Sequence, residues 1–178
     1  MRTFLIYSFI FITSLFTVGC SSNYDNQSLT GQSFPTINGE NLEKEIVNIP
    51  EAFKGEKTLL LIGYKQNSQF DIDRWLIGLD MTNTTIPVYE IPTIKGLFPR
   101  MFSTTINNGM RADIPKTLWK GVITVYQDGE LVQKFTGNEN PNNARVILLN
   151  KEGVILFMYD QGFSVEALNQ VRSYQETP

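Results

Sequence analysis

The sequence predicts an α/β fold of three layers around a mixed central sheet, with an inserted helix/strand segment. Three features carry that prediction. Residues 58–92 run from an apolar stretch through an amphipathic one to a second apolar stretch, the pattern of two parallel strands joined by a helix. Residues 145–159, "RVILLNKEGVILFMY", are two apolar runs around a Lys-Glu-Gly turn, and a serine-led helical stretch follows. Between them lies a segment with both helical and strand signals, longer than a simple crossover requires.

In chain order, Phe34-Pro35 and Gly39 to Leu42 indicate a short extended segment and a turn. "NIPEAFKGEK" is a connection punctuated by Pro50 and Gly55. Thr58 to Ile62 is almost continuously apolar, as in a central strand buried on both faces. Ser68 is placed to cap the next helix, with Asp71 as a capping-box-like partner. Ile72, Trp75, Leu76 and Leu79 fall at i, i+3, i+4 and i+7 and form one apolar face. "IPVYEIP" is a second strand closed by Pro92. Leu97 to Asn108 reads as helical, with Pro99 in its first turn. "GMRADIPKTLWKG" is irregular with a short helix. "VITVYQDGELVQKF" reads as a hairpin, because Asp128-Gly129 suits a type I′ turn. Ser164 caps a last helix carrying Val165, Leu168 and Val171. Parallel strands joined by helices cross over right-handedly.

Composition removes several functions. The chain has 178 residues, enough for one domain with a substantial core. Its net charge is -3 and it has no long basic run, so no nucleic-acid partner is expected. It has no histidine and one cysteine. Ser-His-Asp and Cys-His catalysis are therefore excluded, as are zinc sites built from His and Cys. An all-carboxylate metal site stays open, but no Asp/Glu cluster follows the calcium-loop pattern; no metal is expected, and no cofactor.

The N-terminus, "MRTFLIYSFIFITSLFTVGC", has Arg2, an apolar stretch from Phe4 to Phe16, and Gly19 before Cys20. It resembles a bacterial lipoprotein signal, although Thr17 stands where leucine is usual. The resemblance implies a signal peptide over 1–19 and a lipid-bearing Cys20, its acyl chains (palmitate among them) holding the protein to a membrane. It places the protein in the bacterial cell envelope, at the periplasmic face of the outer membrane if the cell is Gram-negative. An uncleaved anchor or an ordinary signal peptide remains the alternative. Residues 20–32 read as a polar tether and 33–178 as the domain. With Cys20 acylated, the domain carries no thiol.

The order of elements, with "GQSFPTINGENL", "FKGEKTLLLIGY" and "RVILLNKEGVILF", resembles the thioredoxin-like fold, particularly its peroxiredoxin-like branch, over roughly residues 31–173. "FPTINGENL", "KTLLLIGYKQNSQFDIDRWL", "YEIP" and "NGMRADIP" are also similar to bacterial relatives of the mitochondrial ATP synthase assembly factor family. The resemblance implies an assembly or chaperone-like role with a protein partner at a membrane complex. Two departures accompany it. The redox turn of such proteins falls on Ser68 and Asp71, where no thiol stands, and no histidine is available to activate a serine. The cis-proline facing that turn falls near Ala144, and the nearest proline is Pro141.

Tyr64, Lys65, Gln66, Asn67 and Ser68 occupy the turn above the first core strand, where α/β sheets place ligands. They are a candidate binding surface, with Ser68 alternatively only a helix cap. Arg111 and Asp113 offer a charged contact, or a loop-ordering salt bridge. Trp119, Phe98, Met101 and Phe102 either cover one sheet face or leave an apolar patch. The expected function is a membrane-anchored, redox-inactive binding or assembly factor. A thiol-independent enzyme using Tyr64, Lys65, Ser68 or Arg111 is the alternative, and a small-ligand carrier a third.

Overall fold

A computed structural model describes residues 23–175. The expected signal peptide (1–19) and lipidation site, Cys20, lie outside the described residues. Two antiparallel strands come first, β1 (Ile37–Asn41) and β2 (Ile46–Ile49). Then follow β3 (Thr58–Gly63), α1 (Gln69–Met81), β4 (Val88–Pro92), α2 (Leu97–Met101) and α3 (Ser103–Asp113). The rest is β5 (Ile123–Thr124), α4 (Gly129–Thr136), β6 (Arg145–Leu149), β7 (Ile155–Tyr159) and α5 (Val165–Ser173).

The central sheet has the order β4-β3-β6-β7, with β3 and β4 parallel and the other pairs antiparallel. A smaller antiparallel sheet, β2-β1-β5, joins it through parallel bridges from Glu90 to Val122 and from Thr93 to Val125. Every residue of β3 is buried, as its apolar run requires. The period of two then divides it between two cores. Leu60 and Ile62 pack with Ile37, Val132 and Ile147 beneath the small sheet and α4. Leu59 and Leu61 pack with Trp75, Val146 and Leu168 beneath α1 and α5. Trp75 is fully buried between the Tyr159 and Phe163 rings, at 6.1 and 5.5 Å. The mixed α/β fold agrees with the sequence.

Four local expectations are corrected. Asp128-Gly129 opens a helix rather than a type I′ hairpin turn. Tertiary contacts decide this: Asp128 Oδ2 accepts from Asn38 N at 2.8 Å, and Val132 and Thr136, one helical turn apart, are buried together. Gly129 leaves no room for a side chain, since a Cβ there would meet the Ile94 backbone at 3.1 Å. The helix expected over 97–108 breaks at Phe102 and resumes to Asp113. Ser68 makes no capping bond; its Oγ donates to Lys65 O at 2.6 Å. Asp71 accepts from Ala144 N at 2.9 Å and Phe163 N at 2.6 Å, tying α1 to the starts of β6 and α5. Finally, the tether reading fails beyond residue 23. Leu29 is in the core, and residues 31–34 pair with the β6–β7 turn through Gly31 N to Ile155 O and Phe34 N to Gly153 O.

Ser164 caps α5 by accepting from Ala167 N, and Gly153 takes a positive φ of 84° in the β6–β7 turn, both as the sequence indicates. Replacing Trp75 with alanine should cost about 3–5 kcal/mol, because a large side chain leaves a fully packed site. Denaturant titration of the full chain measures this.

Candidate functional site

The candidate turn rises from the carboxyl end of β3, and its five residues divide sharply. Lys65, Gln66 and Asn67 are exposed on a 3₁₀ turn (Gln66–Ser68). Ser68 is buried beneath it, and Gly63 accommodates the hydroxyl: a Cβ at Gly63 would stand 2.5 Å from Ser68 Oγ. Tyr64 is buried as well. The outward-facing candidates are thus three of the five.

Tyr64 turns inward because of Arg145. The β3–β6 register pairs Ile62 with Arg145, so the guanidinium begins its strand beside the end of β3. Arg145 has no exposed surface. Its Cζ stands 5.0 Å from the Tyr64 ring centroid, within cation–π range. Nη1 donates to Asn140 O at 2.6 Å and Asn143 O at 3.2 Å, and Nη2 donates to Asn26 Oδ1 at 3.3 Å. Asn26 Nδ2 donates in turn to the buried Asp160 carboxylate. Asn26 therefore bridges cation and anion. Burial draws the Arg145 guanidinium below its ordinary pKa, while the charges of Tyr64, Asp160 and Glu139 oppose that shift. Burial pushes the Tyr64 phenol up to about 12, against the hydrogen bond it shares with Thr136.

Residues 24–29 form a strap across this cluster. Asn138 N donates to Tyr24 O at 2.9 Å, and Tyr24 N donates to Asn138 Oδ1 at 2.7 Å. Glu139 N donates to Asn26 Oδ1 at 3.2 Å. Gly137, at φ 79°, allows the approach, since a Cβ there would lie 2.3 Å from Asn26 Cα. Tyr24 reaches outward, donating to Glu130 at 2.9 Å and lying under Lys95 Nζ at 5.4 Å from its ring centroid. Sequence reasoning missed Arg145, Asn26, Asn138 and Asp160. Arg145 was the visible signal, a lone cation heading an otherwise apolar strand.

Arg111 belongs elsewhere. Its Nε donates to Leu42 O at 2.6 Å, its Nη1 donates to Asn108 Oδ1 at 2.9 Å, and its ion pair is with Glu40 at 3.7 Å. Asp113 is exposed and is not that partner. Arg111 lines a shallow groove with Lys44, Lys116 and Trp119, whereas the Tyr64 turn shares none of these contacts. Phe98, Met101 and Phe102 are exposed rather than laid over the sheet. Among the described residues no group of three or more Asp, Glu, His or Cys side chains could hold a metal.

Asn26→Ala should destabilise the fold by about 1–3 kcal/mol, because Arg145 and Asp160 each lose a buried partner. Chemical denaturation reads the loss. Tyr64 has its folded pKa raised from 10.0 to about 12, so its contribution to stability is complete below pH 10.0 and disappears as pH rises through about 12. Tyr64→Phe should remove one proton from the number released on unfolding in that window, measured from the slope of stability against pH.

No protein-family model matches the sequence, and neither does any curated protein. Solved structures do match. The thioredoxin domain of a thiol-disulfide oxidoreductase from Bacteroides vulgatus superposes with a TM-score of 0.54 at 18% identity, over 83% of this chain and 99% of that one. Yeast Sco1 with copper bound gives 0.57 at 9% identity, over 86% and 96%. A pneumococcal exposed lipoprotein thioredoxin from Streptococcus pneumoniae gives 0.54 at 10%, over 79% and 99%. With the sheet order and layers described above, these likenesses establish a thioredoxin-like fold for this chain.

Proposed function

We propose that this protein is a membrane-anchored, redox-inactive thioredoxin-like binding or assembly factor of a bacterial envelope, which engages a protein partner through the exposed turn Lys65–Asn67. The observation that carries this reading is the content of the site. Ser68 and Asp71 stand where a thiol pair would be needed, and both are buried and committed to the fold. The one cysteine of the chain is Cys20. Thiol–disulfide exchange requires a thiolate, and an alcohol without a base does not replace it.

What remains is a rigid scaffold presenting a polar loop, and binding residues often sit on such loops. The sequence of the first twenty residues supports attachment through lipid on Cys20. The like-folded pneumococcal exposed lipoprotein lends further support to an envelope setting. Among the described residues no helix is long and apolar enough to cross a membrane.

The test uses the full-length protein in gently solubilised native membranes, with a photocrosslinker at Gln66 and Cys20→Ala as control. A crosslinked, stoichiometric partner that disappears with Cys20→Ala is the expected result. Insulin-reduction and peroxide assays on the same preparation should stay at background. Turnover that depends on Lys65 or Arg111 would overturn the binding reading in favour of an enzyme.

A further inference from the structure

Helix α2 (Leu97–Met101) turns its apolar side chains outward. Leu97 is 72%, Phe98 73% and Met101 69% exposed, and Phe102 follows at 49%. The Phe98 and Phe102 rings are 5.3 Å apart, so these groups form one patch rather than scattered contacts. None of the helix is buried. An outward face of Leu, Phe and Met on a helix that contributes nothing to the core marks a surface that meets something apolar.

The occupant follows from where the described chain begins. The strap fixes Tyr24 beside Lys95, whose ammonium lies 5.4 Å from the Tyr24 ring. Lys95 and Gly96 lead directly into α2. Cys20 is four residues before Tyr24 in the sequence. Four extended residues span at most about 14 Å. A lipid on Cys20 therefore holds the bilayer surface within that distance of Tyr24, on the side of the domain where Lys95 leads into α2. Two cations accompany the patch, Lys95 before it over the Tyr24 ring and Arg100 within it, which is exposed and donates through Nη2 to Gln127 O at 3.4 Å; a cationic patch edge suits anionic headgroups.

We infer that α2 is a membrane-docking element: Leu97, Phe98, Met101 and Phe102 enter the acyl boundary of the bilayer that anchors the protein, with Lys95 and Arg100 at the headgroups. This inference rests on the lipid anchor at Cys20. Apolar side chains of interfacial helices reach several ångströms below the headgroups, so four such groups and an acyl anchor act as two membrane signals. The domain is then held in one orientation, because the strap removes the slack a tether would leave.

The test reconstitutes the full-length processed protein into vesicles of phosphatidylethanolamine and phosphatidylglycerol. Single cysteines at Phe98→Cys, Met101→Cys and Val165→Cys carry an environment-sensitive fluorophore. Val165 is exposed but lies on α5, across the sheet from the strap and α4. Acylation of Cys20 is verified by the mass of its peptide. Blue-shifted emission at positions 98 and 101, strongly quenched by brominated acyl chains, with position 165 unaffected, is the expected result. Solvent-like emission at all three positions on an acylated, vesicle-bound protein would overturn the docking inference and leave the anchor intact. An unmodified Cys20 on protein that stays off vesicles would overturn both. Protection at 98 and 101 in native membranes, lost on the purified vesicles, would assign the patch to a protein partner instead.

Discussion

A guanidinium without solvent, at the head of the central strand pair, organises the functional end of this molecule. Arg145 keeps its charge at physiological pH, and a buried charge is tolerated only with partners. Its partners come from four places: the Tyr64 ring at the end of β3, the carbonyls of Asn140 and Asn143 in the loop before β6, Asn26 in the strap, and Asp160 through Asn26. The inward turn of Tyr64, the path of residues 137–144 and the docking of the N-terminal strap all meet at Arg145, each with further contacts of its own: Thr136 for Tyr64, Asp71 for Ala144, and Asn138 and the core for the strap.

The same end of the molecule holds hydrogen-bonded side chains where the resemblance places a redox pair. In a thioredoxin-like fold, the end of the first core strand and the loop facing it are adjacent. Here Ser68 bonds back to Lys65, Asp71 fastens that facing loop at Ala144, and the buried Arg145 guanidinium lies against the Tyr64 ring. Of the candidate turn, only Lys65, Gln66 and Asn67 face outward. The proposed binding role rests on that exposed polar turn above a buried, hydrogen-bonded strand end.

Much of the fold was legible in the sequence because those elements rest on local pattern. The apolar run of β3, the i, i+3, i+4 face of α1, the Gly153 turn and the Ser164 cap depend on few distant residues. The misread elements depend on distant ones. Asp128-Gly129 carries the local signature of a hairpin, but Asn38 and the Ile94 backbone decide its structure. The strap has the polar composition of a tether, yet its Asn26 is the partner that a buried Arg and Asp require, its Tyr24 pairs with Asn138, and Leu29 reaches the core. The position of the candidate turn after β3 was legible in the sequence. The inward turn of Tyr64 was hidden, because its ring lies against an arginine about eighty residues away in sequence. Arg111 and Asp113 were read as a pair from proximity in sequence, while the helix directs Arg111 to Leu42 and Glu40.

The most direct measurement is hydrogen exchange of the Tyr24 amide and its neighbours in the full-length protein, compared with Arg145→Met. Tyr24 N is bonded to Asn138, and the strap is held through Asn26 on Arg145. Slow exchange at Tyr24 in the native protein, lost selectively in Arg145→Met while β3 and β6 stay protected, is the result expected of an arginine-locked strap. Exchange at Tyr24 as fast as in an unstructured chain would contradict it, as would protection that Arg145→Met leaves unchanged.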